Sequence, residues 1–129
     1  MSSRPLSDMQ LAFMRALWKL DEGSVADVQA ELVAEGQALA TTTVATVLRR
    51  LEAGKYVTHR RDGRQFVYRA RVTQQALGSR ALERLSTSIY GGNVTALLTQ
   101  LLGSLPVTPD ELVEVQRLIE AKTQEQEES

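Results

Sequence analysis

An Asp62-Gly63 pair set between two short extended stretches leaves this chain few folds to choose from. Tyr56-Val57-Thr58-His59-Arg60-Arg61 reads as extended, and Arg64-Gln65-Phe66-Val67-Tyr68-Arg69 reads as its return, with Phe66 and Tyr68 on one face. Asp-Gly between such runs is a strong two-residue hairpin signal, because glycine tolerates the positive φ that tight hairpin turns need. Everything else with a recognisable period is helical, so the spacing predicts one β-hairpin embedded in an otherwise α-helical chain.

Three helices precede the hairpin. Ser7 is placed to cap the first, with Gln10 reaching back to it, and Leu11, Met14, Leu17 and Trp18 recur at helical spacing. Asp21-Glu22-Gly23 stops that helix. Ser24 to Asp27 forms a second start signal, and Val25, Val28 and Leu32 line one side of a short helix that ends at Glu35-Gly36. A third helix is expected from Thr41 or Thr42 to about Ala53. In it Val44, Val47, Leu48 and Leu51 cluster on one side, and Thr42, Thr46 and Arg49 face away, flanked by Thr43, Ala45 and Arg50. Threonine is a poor helix former, so an exposed threonine and arginine face with no acid before Glu52 is not what an idle surface helix carries. Three helices followed by a hairpin with Arg60, Arg61 and Arg64 at its tip is the order of a winged helix-turn-helix.

The net charge of −1 conceals a sharp division. Residues 1–40 carry three basic and six acidic side chains, residues 41–72 eight and two, and residues 73–129 four and eight. The middle segment is thus net +6 and coincides with the third helix and the hairpin, the pattern of a local patch for a phosphate backbone. Arg49 and Arg50 could reach guanine edges or phosphates, and the wing-tip arginines phosphates or the minor groove.

From Thr73 the pattern is helical only. Leu77, Leu82, Leu85 and Ile89 predict a long helix ending at Tyr90-Gly91-Gly92, and Asn93 caps a second that carries Val94, Leu97, Leu98, Leu101 and Leu102. Thr108-Pro109-Asp110-Glu111 starts a third, lined by Leu112, Val115, Leu118 and Ile119. So few residues cannot bury that much apolar surface alone, which predicts a homodimer through Leu85, Ile89, Leu97, Leu98, Leu101, Leu102, Val115 and Ile119. The expected organisation is a DNA-binding domain over residues 1–72, a three-helix dimerisation domain over 73–122 and a frayed acidic tail over 123–129, the whole mainly α with one small hairpin.

The strings ATTTVATVLRRLEAGKYV, RRDGRQFVYR and SIYGGNVTALLTQLL resemble the penicillinase-repressor family, the BlaI/MecI group, from about Leu6 to Ile119. The family pattern Thr-Thr-Val-x-Thr-x-Leu-x-Arg-Leu is met by Thr42, Thr43, Val44, Thr46, Leu48, Arg50 and Leu51. The resemblance implies a winged-helix repressor that dimerises through its helical tail and binds a palindromic operator. It also implies relief by a membrane metalloprotease sensor in some members, whose Asn-Phe cut site aligns here with Gln100-Leu101. Where the family usually has Lys-Gly after the third helix, this chain has Gly54-Lys55. It has no cysteine, which closes the route of the copper-responsive members with their C-terminal cysteine cluster.

The same absence excludes disulfides, thiolate metal sites and a cysteine nucleophile. With one histidine, His59, and no glycine-rich phosphate loop, no catalytic constellation is visible, so the expectation is not an enzyme, with no metal and no cofactor. The N-terminus has no apolar signal region and no run suits a membrane span, which predicts a cytoplasmic protein without membrane insertion. The competing reading is a winged helix used as a protein-interaction module. It would expose apolar or mixed-charge residues on the third helix rather than Thr42, Thr46 and Arg49.

Overall fold

The computed structural model describes residues 5–128. The elements are α1 (Asp8–Leu20), β1 (Gly23–Ser24), α2 (Val25–Ala34), α3 (Thr41–Ala53), β2 (Val57–Asp62), β3 (Gln65–Ala70), α4 (Gln74–Ser88), α5 (Val94–Ser104) and α6 (Pro109–Glu128). The chain divides into two compact units, with the division between Ala81 and Leu82 inside α4. Among the described residues no helix is long and apolar enough to cross a membrane.

The first unit is a winged helix-turn-helix. The start signals read from the sequence close as expected. Ser7 Oγ accepts from the Gln10 backbone N–H at 3.1 Å while the Gln10 side chain accepts from the Ser7 N–H at 2.9 Å. Ser24 and Asp27 repeat the arrangement at 3.1 and 3.0 Å. Each box satisfies two backbone donors that the first turn leaves without partners. The core joins Ala12, Phe13, Met14, Ala16 and Leu17 of α1 to Val28 and Leu32 of α2, Val44, Val47, Leu48 and Leu51 of α3, and Val57 and Tyr68 of the hairpin. The buried face of α1 is centred on Phe13, with Leu11 and Trp18 only half-buried at its margins. Trp18 Nε1 donates to the Val72 carbonyl at 2.9 Å and so ties α1 to the chain leaving β3.

The sheet is antiparallel in the order β1-β3-β2. The short β1, not foreseen from the sequence, pairs Gly23 with Tyr68 and Ser24 with Val67, so β3 is central and β2 has an open outer edge. The hairpin register pairs Asp62 with Gln65, which makes the two loop residues Gly63 and Arg64 rather than Asp62 and Gly63. Gly63 has φ +64°, and Arg64 is not among the residues with positive φ. That combination belongs to a type II′ turn, which needs glycine at its first position only.

Two helices of this unit end alike. After α2, the Gln37 N–H bonds to the Leu32 carbonyl and the Gly36 N–H to the Val33 carbonyl, with Gly36 at φ +88°. After α3, the Tyr56 N–H bonds to the Leu51 carbonyl and the Lys55 N–H to the Glu52 carbonyl, with Lys55 at φ +68°. Both are Schellman endings, but only the first has glycine in the left-handed position. Glycine stands one residue earlier in the second, where an added Cβ at position 54 would sit 3.1 Å from the Tyr56 ring. The inverted Gly54-Lys55 order thus leaves room for Tyr56 and puts a lysine in a conformation that disfavours side chains.

In the second unit, α5 is capped by Asn93 Oδ1 accepting from the Ala96 N–H at 2.9 Å. Thr108 and Glu111 close a box at the start of α6, at 3.1 and 3.0 Å. That helix continues through Glu128, where the sequence predicts fraying beyond Lys122. None of the residues of α4, α5 or α6 is buried.

Replacing Lys55 with glycine removes the left-handed strain, offset in part by a freer unfolded chain. Lys55→Gly is therefore expected to stabilise the fold by about 1 kcal/mol. Urea unfolding should show the gain as a higher midpoint at unchanged slope.

Candidate nucleic-acid interface

The outward face of α3 is set by what its other face buries. Val44, Leu48 and Leu51 are fully or almost fully buried and Val47 nearly so. Each contributes on the order of 1.5–3 kcal/mol by leaving water, so the helix cannot roll without large loss. The turn before it is pinned from α2: Gln29 Nε2 donates to the Leu39 carbonyl at 2.8 Å, and the Thr41 hydroxyl donates to Gln29 Oε1 at 3.1 Å. The residue before the helix is Ala40, with no side-chain cap, so none of the threonines is spent on capping α3.

Thr42, Thr43, Arg49 and Arg50 are exposed on this face, and Thr46 is half-buried. The Thr46 hydroxyl donates to the Thr42 carbonyl at 2.8 Å and accepts from Arg49 Nη2 at 3.4 Å. That bond turns the Arg49 side chain along the helix, whereas the Thr42, Thr43 and Arg50 side chains make no hydrogen bond or ion pair among the described residues.

The three wing arginines, equivalent in the sequence, are in three different situations. Arg60 and Arg61 are neighbours on β2, so they point to opposite faces of the hairpin. Arg60 Nη2 donates to Glu22 Oε1 at 2.6 Å, tying the wing to the α1–β1 turn. The Arg60 hydrogen bond holds the Glu22 carboxyl below the usual glutamate range and, reciprocally, raises Arg60. On the other face the Arg61 guanidinium lies 5.5 Å from the centre of the Phe66 ring, and its Nε donates to the Gly63 carbonyl at 3.4 Å. Arg64, in the turn itself, has no side-chain partner among the described residues.

His59, for which the sequence suggested no partner, has one. Its Nδ1 lies 2.7 Å from both Glu52 carboxylate oxygens, and its ring stands 4.3 Å from Phe66 and 5.5 Å from Tyr68. Tyr68 is buried, and that burial, more than the nearby Glu52 charge, pushes its phenol up. Glu22, Glu52 and Phe66 are therefore parts of this surface that sequence reasoning missed. No local periodicity marks Glu22 or Glu52, because each acts across a contact with another element, and the alternation that sets Phe66 on a face with Tyr68 does not say what that face meets.

In the second unit, the residues expected at a subunit interface carry apolar surface outward. Leu85, Ile89, Leu98, Leu101, Leu102 and Ile119 are exposed, and Leu97 and Val115 are half-buried. Gln100 and Leu101 lie exposed within α5.

A family model described as penicillinase repressor matches residues 6–121. No curated protein matches the chain. Among solved structures, it is similar to Bordetella bronchiseptica BpsR, whose DNA binding is regulated by 6-hydroxynicotinic acid. The identity is 20% over 95% of this chain and 83% of that one, with a TM-score of 0.51. It is also similar to a mutant of MarR from E. coli complexed with operator DNA, at 13% identity over 90% of this chain and 74% of that one, with a TM-score of 0.52. At these identities the likeness is one of fold. The DNA-binding domain of the repressor BlaI is 29% identical over 57% of this chain and 90% of that one, with a TM-score of 0.49. With the family match running through both units and a winged helix-turn-helix making up the first, the chain belongs to the penicillinase repressor family of DNA-binding transcriptional repressors.

Proposed function

We propose that the chain represses transcription as a homodimer on a palindromic operator, with α3 in the major groove and the wing along the flanking backbone. The observation that carries this reading is the outer face of α3. Thr42, Thr43, Arg49 and Arg50 stand exposed on a helix whose opposite face is locked into the core. Arg49 and Arg50 suit guanine edges or phosphate, and the threonine hydroxyls and methyls suit base edges or thymine methyls. This face presents no apolar patch, which disfavours a protein-interaction module. A duplex recovered from a random-sequence pool should be bound in strong preference to random duplex. Thr42→Ala and Arg50→Ala should erode that preference, and equal binding of both duplexes by the wild type would end the operator reading.

The wing arginines divide the work unequally. Arg64 and Arg61 are turned to solvent for phosphate or minor-groove contact, while Arg60 is engaged by Glu22. Because the folded Glu22 pKa lies below its unfolded value, the pair persists at neutral pH. It is lost only as pH falls through that lowered value, below the ordinary ~4.3. Glu22→Ala is expected to release Arg60 at neutral pH, tightening duplex binding and steepening its salt dependence by ~0.9 log unit per log unit of salt, one phosphate's worth. An unchanged slope and affinity would show that freeing Arg60 adds no phosphate contact.

Dimerisation is supported by the second unit, whose helices fully bury no residue on their own yet carry Leu98, Leu101, Leu102 and Ile119 outward. A two-fold partner would supply the missing half of that core and link two reading helices into one high local concentration on DNA. Where relief is proteolytic, a cut at Gln100-Leu101 would sever α5 amid that surface, after local opening of the helix. Leu101→Asp should dissociate the chain to monomer in sedimentation at micromolar concentration and weaken palindrome binding far more than half-site binding. A wild-type chain that sediments as a monomer under those conditions would overturn this part of the proposal.

A further inference from the structure

Phe66 has an unusual position for a large aromatic side chain. It is 41% exposed and lies outside the core, and its ring neighbours are the His59 imidazole at 4.3 Å and the Arg61 guanidinium at 5.5 Å. The hairpin register explains the grouping. His59 pairs with Tyr68 and Arg61 with Phe66, so all four stand on one face of the two strands. At its inner end the group is anchored to α3, because His59 Nδ1 reaches both Glu52 oxygens at 2.7 Å. Carboxylate, imidazole, phenyl ring and guanidinium therefore follow one another from the last turn of the reading helix to the wing tip.

We propose that His59 and Phe66 are positioning residues that hold Arg61 ready for DNA and tie its place to that of α3. The proposal rests on the reading of the wing as a DNA contact. An exposed arginine gives up considerable rotamer freedom when it docks, and one already laid over an aromatic ring gives up less. Arg61 is restrained twice, by the ring face and by the Gly63 carbonyl, whereas Arg64 has neither restraint. Glu52, although acidic and close to a phosphate-binding surface, serves here to aim a base-bearing ring rather than to repel DNA. The imidazole in turn gives Phe66 a ring neighbour 4.3 Å away that is itself fixed to Glu52.

The test is a double-mutant cycle in the full chain, read by fluorescence anisotropy on a duplex that the wild type has selected from a random-sequence pool. Phe66→Leu keeps apolar bulk and removes the ring face. It should weaken binding about two- to five-fold, the scale of an exposed cation–π contact. In an Arg61→Ala background the same change should have almost no further effect. Phe66→Tyr, which keeps the ring, should bind like the wild type, and so should Glu52→Gln, whose amide oxygen still accepts from the imidazole N–H. Glu52→Ala and His59→Ala should each weaken binding, and only while Arg61 is present. Thermal unfolding of each variant separates loss of fold from loss of aim. If Phe66→Leu and His59→Ala act equally with and without Arg61, or have no effect while Arg61→Ala does, the positioning role is overturned. If Arg61→Ala leaves binding unchanged, the wing reading falls and this proposal with it.

Discussion

The seating of α3 governs the rest of the first unit. Val44, Val47, Leu48 and Leu51 go into a core whose other walls are Phe13, Met14 and Leu17 of α1 and Val28 and Leu32 of α2. With that face committed, the rotation of α3 about its own axis is no longer free, and Thr42, Thr43, Arg49 and Arg50 must project outward. The wing inherits the same constraint. Val57 and Tyr68 close the core from the sheet side, and Glu52 fastens the hairpin to the helix through His59. A surface assembled this way, if it meets DNA as proposed, needs little ordering of its backbone on binding, because the ordering was done by apolar burial during folding.

Features decided within a few residues were legible in the sequence. Both capping boxes of the first unit, the box at Thr108 and Glu111, and the division of α3 into a buried and a free face follow from spacings of three and four residues. The winged-helix order followed from one hairpin after three helices. What could not be read depends on how elements meet. The hairpin turn falls on Gly63 and Arg64 because β1, only two residues long, and the core-facing Val57 and Tyr68 select the register. The partners of Arg60 and His59 lie 38 and seven residues away and carry no periodic mark. Three arginines that look alike in the string RRDGR thus become three different groups in space.

The two units reach order by different means. The first has a complete apolar centre of its own. In the second, the helices are specified locally, by Asn93 and by Thr108 with Glu111, while their apolar side chains remain outside any core. Isolated helices of such length are marginal in water unless an amphipathic face is covered. Capping signals settle where α5 and α6 begin, and burial settles whether they persist.

The open outer edge of β2 carries one more consequence. An unpaired strand edge is a template for another strand, and a short edge crowded with charge is a poor one. Here the edge strand is His59-Arg60-Arg61-Asp62 over most of its length. Two copies brought edge to edge about the middle of this strand would set Arg60 and Arg61 of one against those of the other. The arginines proposed to meet nucleic acid thus also make this edge a poor template for a second strand. Neutralising Arg60 and Arg61 would leave the open edge with Asp62 as its one charged residue, and so far less opposed to strand pairing.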